Sequence, residues 1–235
     1  MLSPVTRRSI FRWPNPQCGL CRLPLRDDDH LWCQTCLTSL PQPPYCQHCG
    51  ATTLDASPHC GFCLRTPPHW DRLVRLGEYG FPLNRLIQQF KFQRQFWLGP
   101  PLARLLAAQI TAPAPLLLPV PLHPWRRLLR GFNQSTVLAT ALAASLNTTV
   151  DTQSLRRIQR ALPQHQLSRQ ARLQNLQQAF ILKERKWPEH VAIVDDVVTT
   201  GSTVSVLSRL LREQGVRQID IYCLGFTPPP KVSVR

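Results

Sequence analysis

The stretch VAIVDDVVTTGST, at residues 191–203, constrains the fold of this chain more than any other feature. It begins as an apolar strand and continues through two aspartates into a turn rich in hydroxyl side chains. A helix is predicted over residues 202–215, because apolar side chains recur there at helical spacing and Gly215 stands where helices commonly end. Residues 217–226 are again apolar and predict a strand. Strand, helix and strand in this order predict a right-handed parallel crossover, and hence an α/β fold with a parallel sheet.

Two earlier segments extend this pattern. The run LLLPVPL at residues 116–122 predicts another buried strand. The alanine-rich run at residues 133–146 predicts a helix that starts near Asn133 or Ser135. Because ligands of parallel sheets bind at the carboxyl ends of the strands, we expect the site beside the two aspartates and the turn that follows them.

The turn after the aspartates has the chemistry of a phosphate site. Gly201 allows close approach of the backbone to a ligand, and the N–H groups at the start of the next helix favour an anion. Hydroxyl donors surround this glycine, and they are Thr199, Thr200, Ser202 and Thr203. The carboxylates of Asp195 and Asp196 suit a ribose 5-phosphate, since they can accept hydrogen bonds from its 2- and 3-hydroxyls. The alternative interpretation is a helix cap without a ligand.

Eight of the nine cysteines form four Cys-x-x-Cys pairs near the N-terminus. The paired residues are Cys18, Cys21, Cys33, Cys36, Cys46, Cys49, Cys60 and Cys63. Four thiolates complete a tetrahedral structural zinc site, so eight predict two zinc ions without an open position for catalysis. The spacing favours a sequential assignment, in which the first four cysteines bind one ion, but leaves a cross-braced assignment open. Cys223 stands apart in a predicted strand and is expected in the core.

The chain is strongly basic, and this indicates polyanionic partners. It has 28 Lys and Arg against 13 Asp and Glu, a formal net charge of +15. Residues 126–172 hold eight arginines and one acid, Asp151. Nucleic acid, phosphorylated metabolites and anionic membranes all fit this charge, and a generally basic surface is the alternative.

Two modules are predicted: a cysteine-rich one at residues 1–69 and an α/β one at residues 70–235, joined at the proline-containing RTPPHW.

The first residues have no apolar segment typical of a signal peptide, and the most apolar run, at residues 112–122, is short and broken by prolines. We therefore expect a soluble cytoplasmic protein without a membrane span.

Residues 191–203 resemble the fingerprint of the type I phosphoribosyltransferases, which bind 5-phosphoribosyl 1-pyrophosphate (PRPP) with magnesium. The resemblance implies that Asp195 and Asp196 hold the ribose hydroxyls. It also implies that residues 199–203 hold the 5-phosphate.

A second resemblance covers almost the whole chain. The chain resembles the ComF family in having cysteine pairs followed by this type of domain. The resemblance includes two further stretches, VPLHPWRRLLRGFNQS at residues 120–135 and QHQLSRQARLQNLQQAF at residues 164–180. Within that family the likeness is strongest to its enterobacterial DNA-utilisation branch. The resemblance implies a double zinc ribbon at the N-terminus, a part in uptake or use of DNA, and partners among the DNA-uptake machinery.

The same two stretches suggest further ligand contacts. The first follows a strand end, where the fold places its pyrophosphate loop, and its candidates are His123, Arg130, Gly131 and Asn133. The second matches the position of the mobile loop that closes over PRPP, and its candidates are Gln164, Arg169, Arg172 and Asn175. Arginine-rich surface segments without a ligand are the alternative for both stretches. The second could also contact DNA.

These features favour a protein that binds PRPP and handles single-stranded DNA, with Trp97, Trp125 and Phe132 as candidate stacking partners. An active phosphoribosyltransferase, with an unknown base or nucleotide as acceptor, is the first alternative. Its transition state needs positioned charge more than an acid–base pair. A PRPP-sensing regulator is the second alternative.

Overall fold

The computed structural model of the chain describes residues 16–26, 30–122, 128, 131–158 and 179–227. Packing divides the chain into two compact units, Met1–Leu40 and Pro41–Arg235. The second group of four cysteines thus belongs to the same unit as the α/β domain, whereas the first group does not. The boundary between residues 69 and 70 stays a prediction about sequence modules.

The smaller unit is built around its cysteine pairs. Its one described helix, α1 (Gln34–Thr38), starts directly after Cys33, and an antiparallel bridge joins Gln17 to Pro24. Among its described residues the buried hydrophobic ones are Cys18, Leu20, Trp32 and Leu40. So few buried apolar side chains suit a module that depends on a metal for its stability.

A five-stranded parallel sheet forms the centre of the larger unit. After α2 (Gly61–Arg65), the chain enters β1 (Arg72–Glu78), and the next strands are β2 (Leu116–Pro119) and β3 (Thr149–Val150). An antiparallel pair, β4 (Leu155–Arg157) and β5 (Phe180–Leu182), lies outside this sheet. The last two strands are β6 (His190–Val198) and β7 (Gln218–Phe226). The order β1-β7-β6-β2-β3 confirms the predicted parallel α/β sheet.

Helices connect and cover these strands. They are α3 (Leu83–Phe92), α4 (Gly99–Ala107), α5 (Gln134–Leu146) and α6 (Ser202–Glu213). The predicted helices at residues 133–146 and 202–215 are confirmed as α5 and α6. Asn133 caps α5 by accepting a hydrogen bond from the Ser135 backbone N–H, and Gly215 follows α6 at a φ of +84°. Helix α5 packs on β2 and β6, while α6 closes the crossover between β6 and β7.

The chain around the second cysteine group covers the edge of β1, which would otherwise expose unpaired backbone groups. The Leu73 N–H donates to the Gln47 carbonyl at 2.7 Å, and the Glu78 N–H donates to the Pro41 carbonyl at 2.8 Å. A Cβ at Gly77 would lie 2.5 Å from the Pro41 oxygen, so this approach requires glycine. The second cysteine group is therefore an integral part of the sheet unit.

No helix in the described part of the chain has the length and apolarity needed to cross a membrane.

Candidate ribose phosphate site and cysteine groups

The turn between β6 and α6 forms an open cavity of about 40 Å³, large enough for a phosphate-sized group. Its lining comprises Asp195 and residues 197–204. The side chains of Thr199 and Thr200 are exposed, and the Thr200 and Ser202 hydroxyl oxygens lie 2.9 Å apart. Gly201 at the N-cap of α6 makes no side-chain cap, and the Ser202 N–H in the first turn donates to the Thr200 hydroxyl at 3.4 Å rather than to an aspartate. This argues against the interpretation of the aspartates as a helix cap.

Gly201 is required at the base of this turn. Its φ of +70° lies in the left-handed region that side-chain-bearing residues rarely adopt. A Cβ at this position would also lie 3.0 Å from Cη2 of Trp70. Trp70 is itself fixed, because its indole N–H donates to the His48 carbonyl at 2.7 Å and its ring is buried. The second cysteine group thus supports the turn through Trp70.

The two aspartates lie at the carboxyl end of β6, where they differ in surroundings. Asp195 Oδ1 accepts hydrogen bonds from the Ser135 hydroxyl at 3.1 Å and from the Asp196 N–H at 2.9 Å. Asp196 pairs with Lys91, whose Nζ lies 3.0 Å from Oδ1. Burial, and then the charge of Asp196, raise the pKa of Asp195 to about 7, although Lys91 and Ser135 oppose this shift. We call Asp195 and Asp196 the acid pair.

Lys91 and Ser135 contact the acid pair but were not predicted as partners of these carboxylates. They belong to α3 and to the first turn of α5, far from residue 195 in sequence. Only packing brings them to the end of β6, so no local pattern in the sequence could have found them. Asn133, a predicted diphosphate contact, has its side chain engaged within the protein: Oδ1 accepts from the Ser135 N–H and Nδ2 donates to the Val120 carbonyl.

The remaining predicted loop residues are mostly beyond what the structure describes. Gly131 has a φ of +82°, and nothing lies within 4 Å of a Cβ built on it. His123 and Arg130 of the predicted pyrophosphate loop lie outside the described residues, as does Trp125. The predicted mobile-loop residues Gln164, Arg169, Arg172 and Asn175 also lie outside them. The roles of all these residues stay predictions.

The eight paired cysteines form two groups of four, and the grouping is sequential rather than cross-braced. Within each group the sulfur atoms lie within 4.8 Å of one another. The groups are Cys18, Cys21, Cys33 and Cys36, and then Cys46, Cys49, Cys60 and Cys63. Cys223 is fully buried in β7 and belongs to neither group, as predicted. His48 and His59 lie beside the second group but bond to each other at 3.0 Å.

The geometry of these groups suits zinc. A tetrahedron with zinc–sulfur bonds of about 2.3 Å has edges of about 3.8 Å. Sulfur–sulfur distances of 3.8 Å join Cys21 to Cys33 and Cys46 to Cys63, and 3.6 Å separates Cys49 from Cys60. Backbone N–H groups also point at sulfur: Cys33 donates to Cys18 at 3.4 Å and Cys60 donates to Cys46 at 3.2 Å. Each group could therefore hold its own structural zinc ion.

Comparisons with known proteins agree with this architecture. Residues 133–230, which include the acid pair and the turn, match the family described as the phosphoribosyl transferase domain. Competence protein F of Haemophilus influenzae is 39% identical over 223 residues, which is 90% of this chain and 97% of that protein. DNA utilization protein YhgH of Escherichia coli K12 is 37% identical over 216 residues, covering 88% and 95%. Competence protein ComFC of Streptococcus pneumoniae is 25% identical over 205 residues, covering 85% and 90%.

Proposed function

Because this chain belongs to the ComF family of competence and DNA-utilisation proteins, we propose that it binds PRPP with magnesium and handles single-stranded DNA during uptake or use of external DNA. The observation that carries this proposal is the convergence of the acid pair, the glycine turn and the start of α6 at one edge of the sheet. The ribose hydroxyls meet carboxylates there, while the 5-phosphate meets N–H and hydroxyl donors.

The sugar hydroxyls of the ligand need hydrogen-bond acceptors, whereas its phosphate needs donors. This difference explains why acids stand beside a phosphate site. Phosphate is favoured by the positive end of α6, and the acids stand on β6 before the turn. Magnesium would be held with the diphosphate and supply positive charge near the acids. Asp195, Asp196 and residues 199–203 would form the binding site, with the predicted pyrophosphate and mobile loops closing it.

An exposed aromatic cluster supports the DNA part of the proposal. It consists of Phe96, Trp97 and Phe132, and the side chains of the first two are 58% and 55% exposed. The Phe96 ring centroid lies 5.6 Å from that of Trp97 and 6.3 Å from that of Phe132. Phe132 also contacts Phe90, with 5.8 Å between the ring centroids, and Phe90 precedes Lys91, whose side chain contacts the acid pair. Bases stack on such faces without regard to sequence.

Substituting Phe96 and Trp97 together by alanine tests this surface. We expect the affinity for an oligothymidine strand to fall by about tenfold or more, because each stacked base contributes roughly 1–3 kcal/mol. Wild-type affinity should also fall with salt, with a slope of log affinity against log salt steeper than about −2 if three or more phosphates are contacted. Fluorescence anisotropy over a salt series measures both quantities.

Phe62→Ala is the matched control, because Phe62 is 61% exposed but lies in α2. It should retain DNA affinity, and the double variant should retain PRPP affinity. An equal loss with Phe62→Ala, or DNA affinity that ignores salt, contradicts the proposal.

The site also favours a second candidate function, transfer of the phosphoribosyl group from PRPP to an acceptor. The acid pair and the phosphate turn would position the sugar while the diphosphate leaves, and such catalysis rests mainly on positioned charge. A screen for diphosphate release from PRPP with bases, nucleosides and DNA ends tests it. Release that depends on one acceptor supports transfer, and no release with any of them leaves PRPP as a bound ligand.

The cysteine groups favour a cellular location for these activities. Eight thiols arranged as two metal-type groups suit a reducing compartment, so we propose that the protein acts in the cytoplasm, with DNA-uptake proteins as partners.

A further inference from the structure

Lys91 occupies a position that the proposed ligand alone does not explain. It lies in the last turn of α3, its side chain is only 16% exposed, and its Nζ contacts Asp196 Oδ1 at 3.0 Å. A lysine brought out of water beside two carboxylates is costly unless it is paired. Lys91 is the described cation within ion-pair distance of the acid pair.

The backbone of Lys91 is held in place by the start of α5. The Lys91 carbonyl accepts a hydrogen bond from Gln134 Nε2 at 3.2 Å, and Gln134 is fully buried at the start of α5. The next residue, Ser135, donates its hydroxyl to Asp195. The start of α5 therefore holds the Lys91 backbone and also contacts Asp195. Lys91 and the acid pair thus form a packed cluster rather than a surface ion pair.

The surroundings of the acid pair leave its charge only partly balanced. Among the described residues, the groups facing it are Lys91 from α3, the Ser135 hydroxyl from α5 and Cys223, the β7 neighbour of Asp195. Burial raises the pKa of Cys223, so this thiol stays neutral. Within the described part of the chain, two carboxylates thus share one cation, and the remaining imbalance agrees with the raised pKa of Asp195.

We propose that Lys91 is the built-in counter-ion of the acid pair, which lets the pair bind ribose hydroxyls without a divalent cation. This inference rests on the proposed ribose phosphate site and assigns Lys91 as its positioning residue. Magnesium is then needed for the diphosphate of PRPP and not for the sugar. Ribose 5-phosphate, which has no diphosphate, should therefore bind equally well with magnesium and with a chelator.

The test is calorimetry of ribose 5-phosphate with wild type, Lys91→Gln and Lys91→Arg, each in EDTA and in magnesium. In EDTA at pH 7 we expect Lys91→Gln to lose about tenfold or more in affinity, because an uncompensated acid pair takes up a proton and no longer accepts two hydrogen bonds. Magnesium should restore part of this loss, and Lys91→Arg should keep most of the wild-type affinity. Arg85→Gln, on the exposed face of the same helix, is the control and should behave as wild type.

A pH series separates this role from a purely structural one. Removing Lys91 disfavours the ionised acid pair, so the pH at which half the affinity is lost should rise by about one unit or more. The phosphate of the ligand itself titrates near pH 6 for every variant, so the informative quantity is the difference between variants. A Lys91→Gln loss that is equal at pH 6.5 and pH 8.5, or unaffected by magnesium, overturns the inference. Wild type that binds in magnesium but not in EDTA also overturns it, and wild type that binds in neither overturns the proposed site as well.

Discussion

Replacing Asp195 and Asp196 together by asparagine should lower the affinity for PRPP with magnesium by about a hundredfold or more. Each carboxylate is proposed to accept a hydrogen bond from a ribose hydroxyl, and hydrogen bonds to charged groups contribute roughly 1.5–3 kcal/mol each. Two of them correspond to about two orders of magnitude in the dissociation constant. Isothermal titration calorimetry measures the effect, and equal affinity in both proteins refutes the site.

The part of this loss that comes from Asp195 should not reflect unfolding. The pKa of Asp195 is raised to about 7, so the folded state holds a proton more tightly than the unfolded chain does. By linkage, this group lowers the free energy of unfolding as pH rises from about 4 to about 7, and asparagine removes that decline. Asp195→Asn alone, which keeps the Lys91–Asp196 pair, should therefore be at least as stable as wild type at pH 8. Glu189→Gln, near the other end of β6, is the matched control and should retain PRPP affinity.

The second large effect concerns the two cysteine groups, which should differ in what they stabilise. Cys21→Ser and Cys49→Ser each remove one ligand, so metal analysis should fall from two zinc ions per chain to about one in either variant. Only Cys49→Ser should destabilise the sheet unit, by about 3 kcal/mol or more, because a structural zinc ion contributes folding free energy directly. That corresponds to a fall of roughly 10 °C in the melting temperature of a unit this size.

The reason for the difference is the packing of the second group along β1. Its segment supplies the backbone acceptor for Leu73, and a Cβ on Gly50 would lie 2.7 Å from the Leu73 side chain. Differential scanning calorimetry on both variants provides the comparison. Equal destabilisation of the sheet unit by Cys21→Ser would contradict the predicted difference, and no destabilisation by Cys49→Ser would show that the second group does not contribute to the stability of that unit.

The sequence predicted those parts of the fold that depend on local pattern. The pattern at residues 191–215 was sufficient for β6, the turn and α6, because an apolar strand followed by an amphipathic helix is visible in a single segment. The cysteine spacing was sufficient for two groups of four. The strands β1, β3, β4 and β5 were not predicted. Strand β1 is defined by its pairing with β7, 148 residues away in the Arg72–Asp220 register, the two-residue β3 by its pairing with β2, and β4 by its pairing with β5.

The candidate site likewise contains residues that the sequence predicted and residues that it did not. Its ligand-facing residues follow one another along the chain, so they could be read from sequence. The residues that control its charge and shape could not, because Lys91, Ser135 and Trp70 come from three other segments. The predicted helix start near Asn133 or Ser135 is confirmed, because Asn133 caps α5, whereas a diphosphate contact by Asn133 stays a prediction.

The most direct test of the ribose phosphate site is titration of the wild-type protein with PRPP in the presence of magnesium. We predict saturable binding of one PRPP per chain, and competition by ribose 5-phosphate, because both ligands place the same sugar phosphate at the turn of Gly201. Absence of binding at millimolar PRPP, or binding that ribose 5-phosphate does not displace, would contradict the account.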